Sequence, residues 1–325
     1  MSASPLDRLL ARLGPEVGDA DEETFLLFAH ERPSAQNLGF VDAHAAVLDL
    51  TVAGRDLTIH QSPAVLASNR AGGTTGAVLW KITPAVAAWL AGAQNPLFGE
   101  GVLGPSSSVL ELGCGIAGVI GLALTGKGTK VQAPGPTAAT KTKTKKKRPG
   151  HDTPSPPTPT RTVGRYVLTD QPYVAKLLQR NLEENGAVHE GSSTAAPLLF
   201  ESLDWETDEV TPAGGRRLGG VASFDAVVAC DCIYNEALVA PLVQTCVDVC
   251  RLRRGSEGSA HGTGDTLPPT VVIVAQQLRD PDVLTAWLTA FVASFRVWRV
   301  PEALLTPGLL PTAGFAVHVG ILRTE

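Results

Sequence analysis

Residues 108–124 read as a strand, a glycine-rich turn and a helix with no spare residue between them. The run Ser108-Val-Leu-Glu-Leu112 is short and apolar, Gly113-Cys-Gly-Ile-Ala-Gly118 follows at once, and Val119–Leu124 is small and apolar. A strand that enters G-x-G-x-x-G and restarts as a helix opens an α/β sheet. The glycines permit the tight turn, let a ligand approach the backbone and let the helix pack closely on the strand. Ligands of such sheets bind beyond the carboxyl ends of the strands. The glycine pattern alone fits a dinucleotide as literally as other ligands.

Downstream the alternation continues. Strands are expected at Arg165–Asp170, 198–203, 224–230, 270–276 and Phe315–Leu322, and helices at 171–185, 237–252 and 280–295. In 171–185, Leu177, Leu178 and Leu182 share one face while Lys176, Arg180 and Glu183 share another. Strands alternating with helices predict a mostly parallel, doubly wound sheet. Upstream, 23–30 and 46–61 alternate apolar and polar residues, and Ala53-Gly54 supplies a turn. VLDLTVAGRDLTIHQ therefore predicts a β-hairpin. Residues 1–75 read as a β-rich extension of a sheet domain that occupies 76–325.

Two carboxylates sharpen the ligand question. Glu111 at the end of its strand is expected to repel a pyrophosphate and to attract a cationic group, such as the ammonium and sulfonium of S-adenosylmethionine. Asp170, at the end of the next strand, is placed to accept both hydroxyls of a ribose. It is also placed to cap the helix that follows. Asp170 lies 52 residues beyond Gly118, too far for a compact strand–helix–strand unit. The excess is explained by residues 127–163, which hold seven prolines and, beyond alanine, only two aliphatic residues. Such a segment cannot bury enough apolar surface to offset chain entropy and is expected to be a disordered insertion. Removing its 37 residues leaves 15 between Gly118 and Asp170.

The insertion also divides the charge. It carries nine Lys/Arg and one Asp, or +8; the other residues carry 18 basic and 31 acidic side chains, or −13. The total of −5 argues against a protein that coats nucleic acid. With 44% hydrophobic residues the chain can build a core, but it has no apolar run long enough to span a membrane and no signal-peptide pattern. Cys114, Cys230, Cys232, Cys246 and Cys250 are odd in number and lie in apolar surroundings, so buried thiols are expected and no metal site is assigned. No histidine is assigned a catalytic role.

GAVLWKITPAVAAWL, LELGCGIAG, YVLTDQ, LDW and VACDCIYN occur in that order. As an ordered set they resemble the seven-strand protein lysine methyltransferases of the methyltransferase-like 21 group, and within it the fungal ribosomal lysine methyltransferases. The resemblance covers roughly residues 70–325 outside the loops. It implies a class I, Rossmann-like methyltransferase fold with a seven-stranded sheet and S-adenosylmethionine as cofactor. Trp80, in the Gly76-x-x-x-Trp80 block, would line the methionine end of that cofactor. Gly113, Cys114 and Gly115 would form the turn beneath it, with Glu111 beside them. Asp170 would bind the ribose, Trp205 would lie against the adenine with Asp204 nearby, and Ala229 would contact the cofactor through its backbone. The signature Asp231-x-x-Tyr234 would stand at the mouth where a substrate lysine enters, as the catalytic pair. The sequence departs from the pattern at Ala117, where relatives often carry glycine.

The resemblance further implies a large-subunit ribosomal protein, of the L1 type, as substrate. It also implies a cytoplasmic, monomeric enzyme with no direct nucleic-acid substrate and no membrane partner; the Lys-rich insertion admits a nuclear location. Three alternatives stand beside this reading. They are methylation of another protein such as an elongation factor or a chaperone, a nicotinamide-dependent oxidoreductase on the same glycine turn, and a non-catalytic binding module.

Overall fold

The fold is described from a computed structural model. The described residues are 3–31, 39–70, 73–127, 129–130, 161–187, 197–211, 218–255 and 267–324. Most of the basic insertion predicted to be disordered therefore lies outside them.

The amino-terminal part runs α1 (Pro5–Leu13), α2 (Ala20–Phe28), β1 (Val47–Val52), β2 (Arg55–His60) and α3 (Pro63–Leu66). Then follow α4 (Ile82–Leu90), α5 (Pro96–Gly99), β3 (Ser108–Leu112), α6 (Val119–Leu124), β4 (Thr129–Lys130) and β5 (Arg165–Asp170). The remainder is α7 (Ala175–Glu184), β6 (Leu198–Ser202), β7 (Ala226–Cys230), α8 (Val239–Gly255), β8 (Val271–Gln277), α9 (Pro281–Ser294), β9 (Phe295–Arg299) and β10 (Phe315–Leu322).

Seven strands form the main sheet in the order β6-β5-β3-β7-β8-β10-β9. The five from β6 to β8 are parallel, and β10 is antiparallel to both β8 and β9. The order reverses at β3, so the chain crosses to opposite sides after β5 and β7 and leaves a crevice at their carboxyl ends. The central strands are buried on both faces. Val109, Leu168 and Val228 join the core on one side, while Leu110, Val167 and Val227 join the core on the other. This period of two is what a sheet covered on both faces requires.

The hairpin expected at 46–61 is present as β1 and β2, turning at Ala53-Gly54 with both residues at positive φ. Asn181 of α7 and Asn185, which follows it as C-cap, bind β2, the middle strand of a three-stranded sheet β1-β2-β4. Asn181 accepts from His60 N at 2.7 Å and donates to His60 O at 2.8 Å, and Asn185 does the same with Thr58 at 3.0 and 2.9 Å. The part of β2 that β4 does not reach, beyond Arg55 and Asp56, is thereby satisfied by side-chain amides.

Two expectations need correction. Residues 23–30 are not a strand: they fall largely in α2, which packs against α9. Its apolar residues sit on the wrong side for a simple pattern, since Phe25 is 73% exposed while Glu23 is buried. The seventh strand, β9, was not anticipated from pattern, because it follows α9 without a loop. His318 is fully buried in β10, with its Nε2 2.9 Å from Glu23 Oε1.

Candidate active site

The carboxyl ends of β3, β5 and β7 open into a cavity of about 500 Å³. Its floor is the glycine turn. Gly113, Gly115 and Gly118 adopt φ values of +70°, +60° and +57°. A Cβ on Gly113 would stand 2.8 Å from Cys232 Sγ and 3.2 Å from the Trp205 ring, and one on Gly115 would stand 3.2 Å from Gly76 O. Only glycine fits these seats without strain. Cys114 lines the cavity between them, its thiol pushed well above the usual range, chiefly by burial.

Asp170 reaches this floor from β5. Its carboxylate accepts from Gly115 N at 2.8 Å and from the adjacent Gln171 N at 2.7 Å, so it braces the turn, while the helices that follow have no side-chain cap. Burial pushes its pKa up to about 6, with the two N–H groups pulling the other way. A carboxylate so placed retains acceptor capacity toward the cavity that it lines.

Glu111 does not line the cavity. Its side chain is buried, and burial raises its pKa to about 8. The Tyr166 hydroxyl lies beside the carboxyl and offsets part of that shift. However, neither Glu111 Oε2 nor Tyr166 Oη reaches hydrogen-bond geometry. At neutral pH this carboxyl is largely protonated, so it does not supply the anionic field expected of it. Ala229 is likewise buried within β7 and absent from the cavity wall.

The aromatic residues do line the cavity. Trp80 donates Nε1–H to Thr75 O at 3.0 Å and packs on Phe40, with ring centroids 4.5 Å apart. Trp205 lies over Gly113 from the opposite wall, and its buried Nε1 has no hydrogen-bond partner. Asp204 beside it accepts from Gln171 Nε2 at 3.3 Å. Tyr173, not anticipated from sequence, accepts from Gly76 N at 2.9 Å, and the Arg70 guanidinium lies 4.2 Å over its ring. Burial pushes the Tyr173 hydroxyl up to about 12.

The mouth is built from the loop after β7. Asp231 adopts φ +61°, a left-handed seat that aspartate tolerates better than most residues. Its carboxylate is held by Arg279, with Nη1–Oδ1 at 2.7 Å and Nη2–Oδ2 at 2.6 Å. Gln276, at the end of β8, fastens the same loop. Its Nε2 donates to Asp231 Oδ1 at 3.1 Å and to Ile233 O at 2.7 Å, and its Oε1 accepts from Ile233 N at 2.9 Å. Tyr234 stands at the rim, 42% exposed, and accepts from Thr75 Oγ1 at 3.2 Å. Arg279 and Gln276 were missed from sequence. The signal was Gln276-Gln-Leu-Arg279, polar residues placed directly after a buried strand at its carboxyl end. All five cysteines are free and buried, as expected. Among the described residues no helix is long and apolar enough to cross a membrane.

Residues 161–254 match the family model described as lysine methyltransferase. A protein of Schizosaccharomyces pombe named diaminohydroxyphosphoribosylamino-pyrimidine deaminase is 28% identical over 285 residues, covering 86% of this chain and 53% of that protein. The ribosomal lysine N-methyltransferase 5 of Zygosaccharomyces rouxii is 27% identical over 274 residues, 74% of this chain and 72% of its own length. Its namesake in Lachancea thermotolerans is 24% identical over 345 residues, with 85% and 88% covered. The chain thus spans about half the length of the first relative and most of the other two. Residues 161–254 are thus similar to the lysine methyltransferase family, and they lie within a seven-stranded, mostly parallel sheet of the order β6-β5-β3-β7-β8-β10-β9.

Proposed function

We propose that this chain transfers a methyl group from S-adenosylmethionine to a lysine side chain of a large-subunit ribosomal protein, of the L1 type. The observation that carries the proposal is the joining of two features in one cavity. The brace between Asp170 and the glycine turn lies at one end, and the Asp231–Tyr234 mouth lies at the other.

The residues suit that cofactor. Asp170 offers a carboxylate for ribose hydroxyls, Gly113 and Gly115 leave room that a Cβ would fill, and Trp205 brings an unpartnered buried N–H to the wall. When bound, S-adenosylmethionine supplies a methyl group already activated on a sulfonium. The protein's larger task is then to place a nucleophile in line. A lysine amine is mostly protonated at neutral pH and must lose its proton first. A wall made of Trp80, Cys230 and Cys232 disfavours the charged form by desolvation. Tyr234, tied to Thr75, orients the amine at the rim. The acidic balance of the chain outside its insertion complements a basic protein substrate.

The names of the two ribosomal lysine N-methyltransferase relatives support the ribosomal substrate. The test is to incubate the full chain with methyl-labelled cofactor and purified large ribosomal subunits, then identify labelled residues by mass spectrometry. Label on a lysine of an L1-type protein is the expected result. Label confined to another protein would overturn the substrate, and no labelled lysine in subunits or whole extract would overturn the reaction.

A further inference from the structure

Asp231 and Tyr234 together suggest a carboxylate waiting for a substrate ammonium, but the geometry around Asp231 is different. Both of its oxygens are engaged by one guanidinium, and Gln276 Nε2 and Gln277 N, at 3.1 and 3.3 Å, crowd Oδ1 further. The Asp231 side chain is 3% exposed and that of Arg279 is 20% exposed, and both residues line the cavity, so the carboxylate meets it already occupied by the guanidinium. The same guanidinium lies 4.9 Å over the Trp80 ring. It also donates to Gln277 Oε1 at 2.8 Å, and the Gly39 backbone closes over both groups, where a Cβ would meet Gln277 Oε1 and Arg279 Nη2. Phe40, the next residue, packs on Trp80. A planar fork is thus bound bidentately on its edge and stacked on its face, a combination that lysine cannot reproduce.

We propose that Arg279 is a positioning residue for methyl transfer: it occupies Asp231 and braces Trp80, so that an incoming lysine meets a charge-balanced pair in place of a bare carboxylate. The inference rests on the lysine-methylation reading of the site. A free carboxylate near the attacking nitrogen would hold the lysine as an ammonium, which cannot attack; the ion pair removes that penalty. The other ionisable groups around the pair are few. Cys230, Cys232 and Tyr234 come from its own loop, all shifted upward chiefly by burial and so uncharged at neutral pH. Across the cavity stand Asp170 and Tyr173 from the segment after β5, and Asp204 and Glu206 beside Trp205. Arg279 is the cationic side chain among the residues that line this cavity.

The experiment follows methylation of a lysine protein substrate by the full chain as a function of pH. Four forms are compared: wild type, Arg279→Lys, Arg279→Gln, and Arg279→Gln with Asp231→Asn. In wild type the rate rises with pH as the amine loses its proton. Arg279→Gln is expected to move that rise upward by about one pH unit or more, a loss of about tenfold near neutrality that recovers in alkali. Adding Asp231→Asn should return the rise to its wild-type position even if the maximal rate stays low. Arg279→Lys should keep the position and lose rate, because the charge remains while the fork is gone; if Arg279→Gln does not fold, Arg279→Met replaces it, with the same upward move of the profile expected. A purely structural role would lower the rate in every variant without moving the profile, and that outcome overturns the inference alone. A wild type that methylates no lysine overturns the reading of the site and this inference with it.

Discussion

Asp170 accepts the backbone N–H of Gly115 at 2.8 Å, joining the end of β5 to the turn after β3 across 55 residues of sequence. One side chain therefore both shapes the cradle and faces the cavity. Replacing it should affect ligand binding more than folding. Asp170→Asn is expected to weaken binding of S-adenosylhomocysteine by about 10- to 100-fold, the scale of losing hydrogen bonds to a charged group. Isothermal calorimetry measures this directly, and unchanged affinity would remove Asp170 from the cofactor site.

Gly113 is the tightest seat in the cradle. Gly113→Ala should destabilise the protein by about 1–2 kcal/mol from its left-handed backbone alone. The contact with Cys232 Sγ at 2.8 Å adds to this. The fall in thermal midpoint should shrink, without vanishing, when Cys232→Ala is added, because only the steric part is relieved.

Glu111 gives the protein a distinct pH response. Its pKa lies near 8 in the fold against an ordinary 4.5, so the native state holds a proton that the unfolded chain releases. Stability must then fall as pH rises from about 4.5 to about 8, by up to on the order of 4 kcal/mol from this group. Glu111→Gln should flatten that decline and be more stable than wild type at pH 8. Urea titrations across the interval would show it; parallel curves for the two proteins would refute it.

The Glu23–His318 pair predicts the opposite slope. Burial pushes the Glu23 carboxyl up, but the His318 hydrogen bond and the charges of His318 and Arg299 outweigh it, and the net shift is downward from 4.5. Its stabilisation is present above that value and is lost as acid drives the pH through the lower native pKa. Glu23→Ala, which strands His318 in the sheet, should cost about 3 kcal/mol. Loosening of α2 should be visible as faster amide exchange in 20–28.

Much of this was legible in the sequence, for a physical reason. The five parallel strands are nearly continuous apolar runs, and the turn after the first needs positive φ values that glycine adopts at little cost. Subtracting the insertion predicted where Asp170 would arrive. What stayed hidden depends on tertiary neighbours. Arg279 and Asp231 are 48 residues apart, and nothing local to either announces a bidentate pair. The helical period of α2 was masked because Phe25 and Leu26 face solvent while Glu23 faces the core. The strand Phe295–Arg299 does alternate, but it begins where α9 ends, and a reader expecting a loop merges the two. Glu111 misled for a related reason. Its place at the strand end is as expected, but only the fold shows that its carboxyl points into packing and keeps its proton.

The described flanks of the long basic insertion, after α6 and before β5, lie at the amino ends of the strands, whereas the cavity opens at their carboxyl ends. These flanks are drawn together: Lys127 N bonds Leu122 O at 2.9 Å, and Val163 N bonds Leu124 O at 2.9 Å. The described flanks of the insertion therefore meet at one end of the sheet while the cavity opens at the other. A change of length between these flanks would thus be borne at the end of the sheet away from the cavity, where β4 at Thr129–Lys130 ties it to the hairpin.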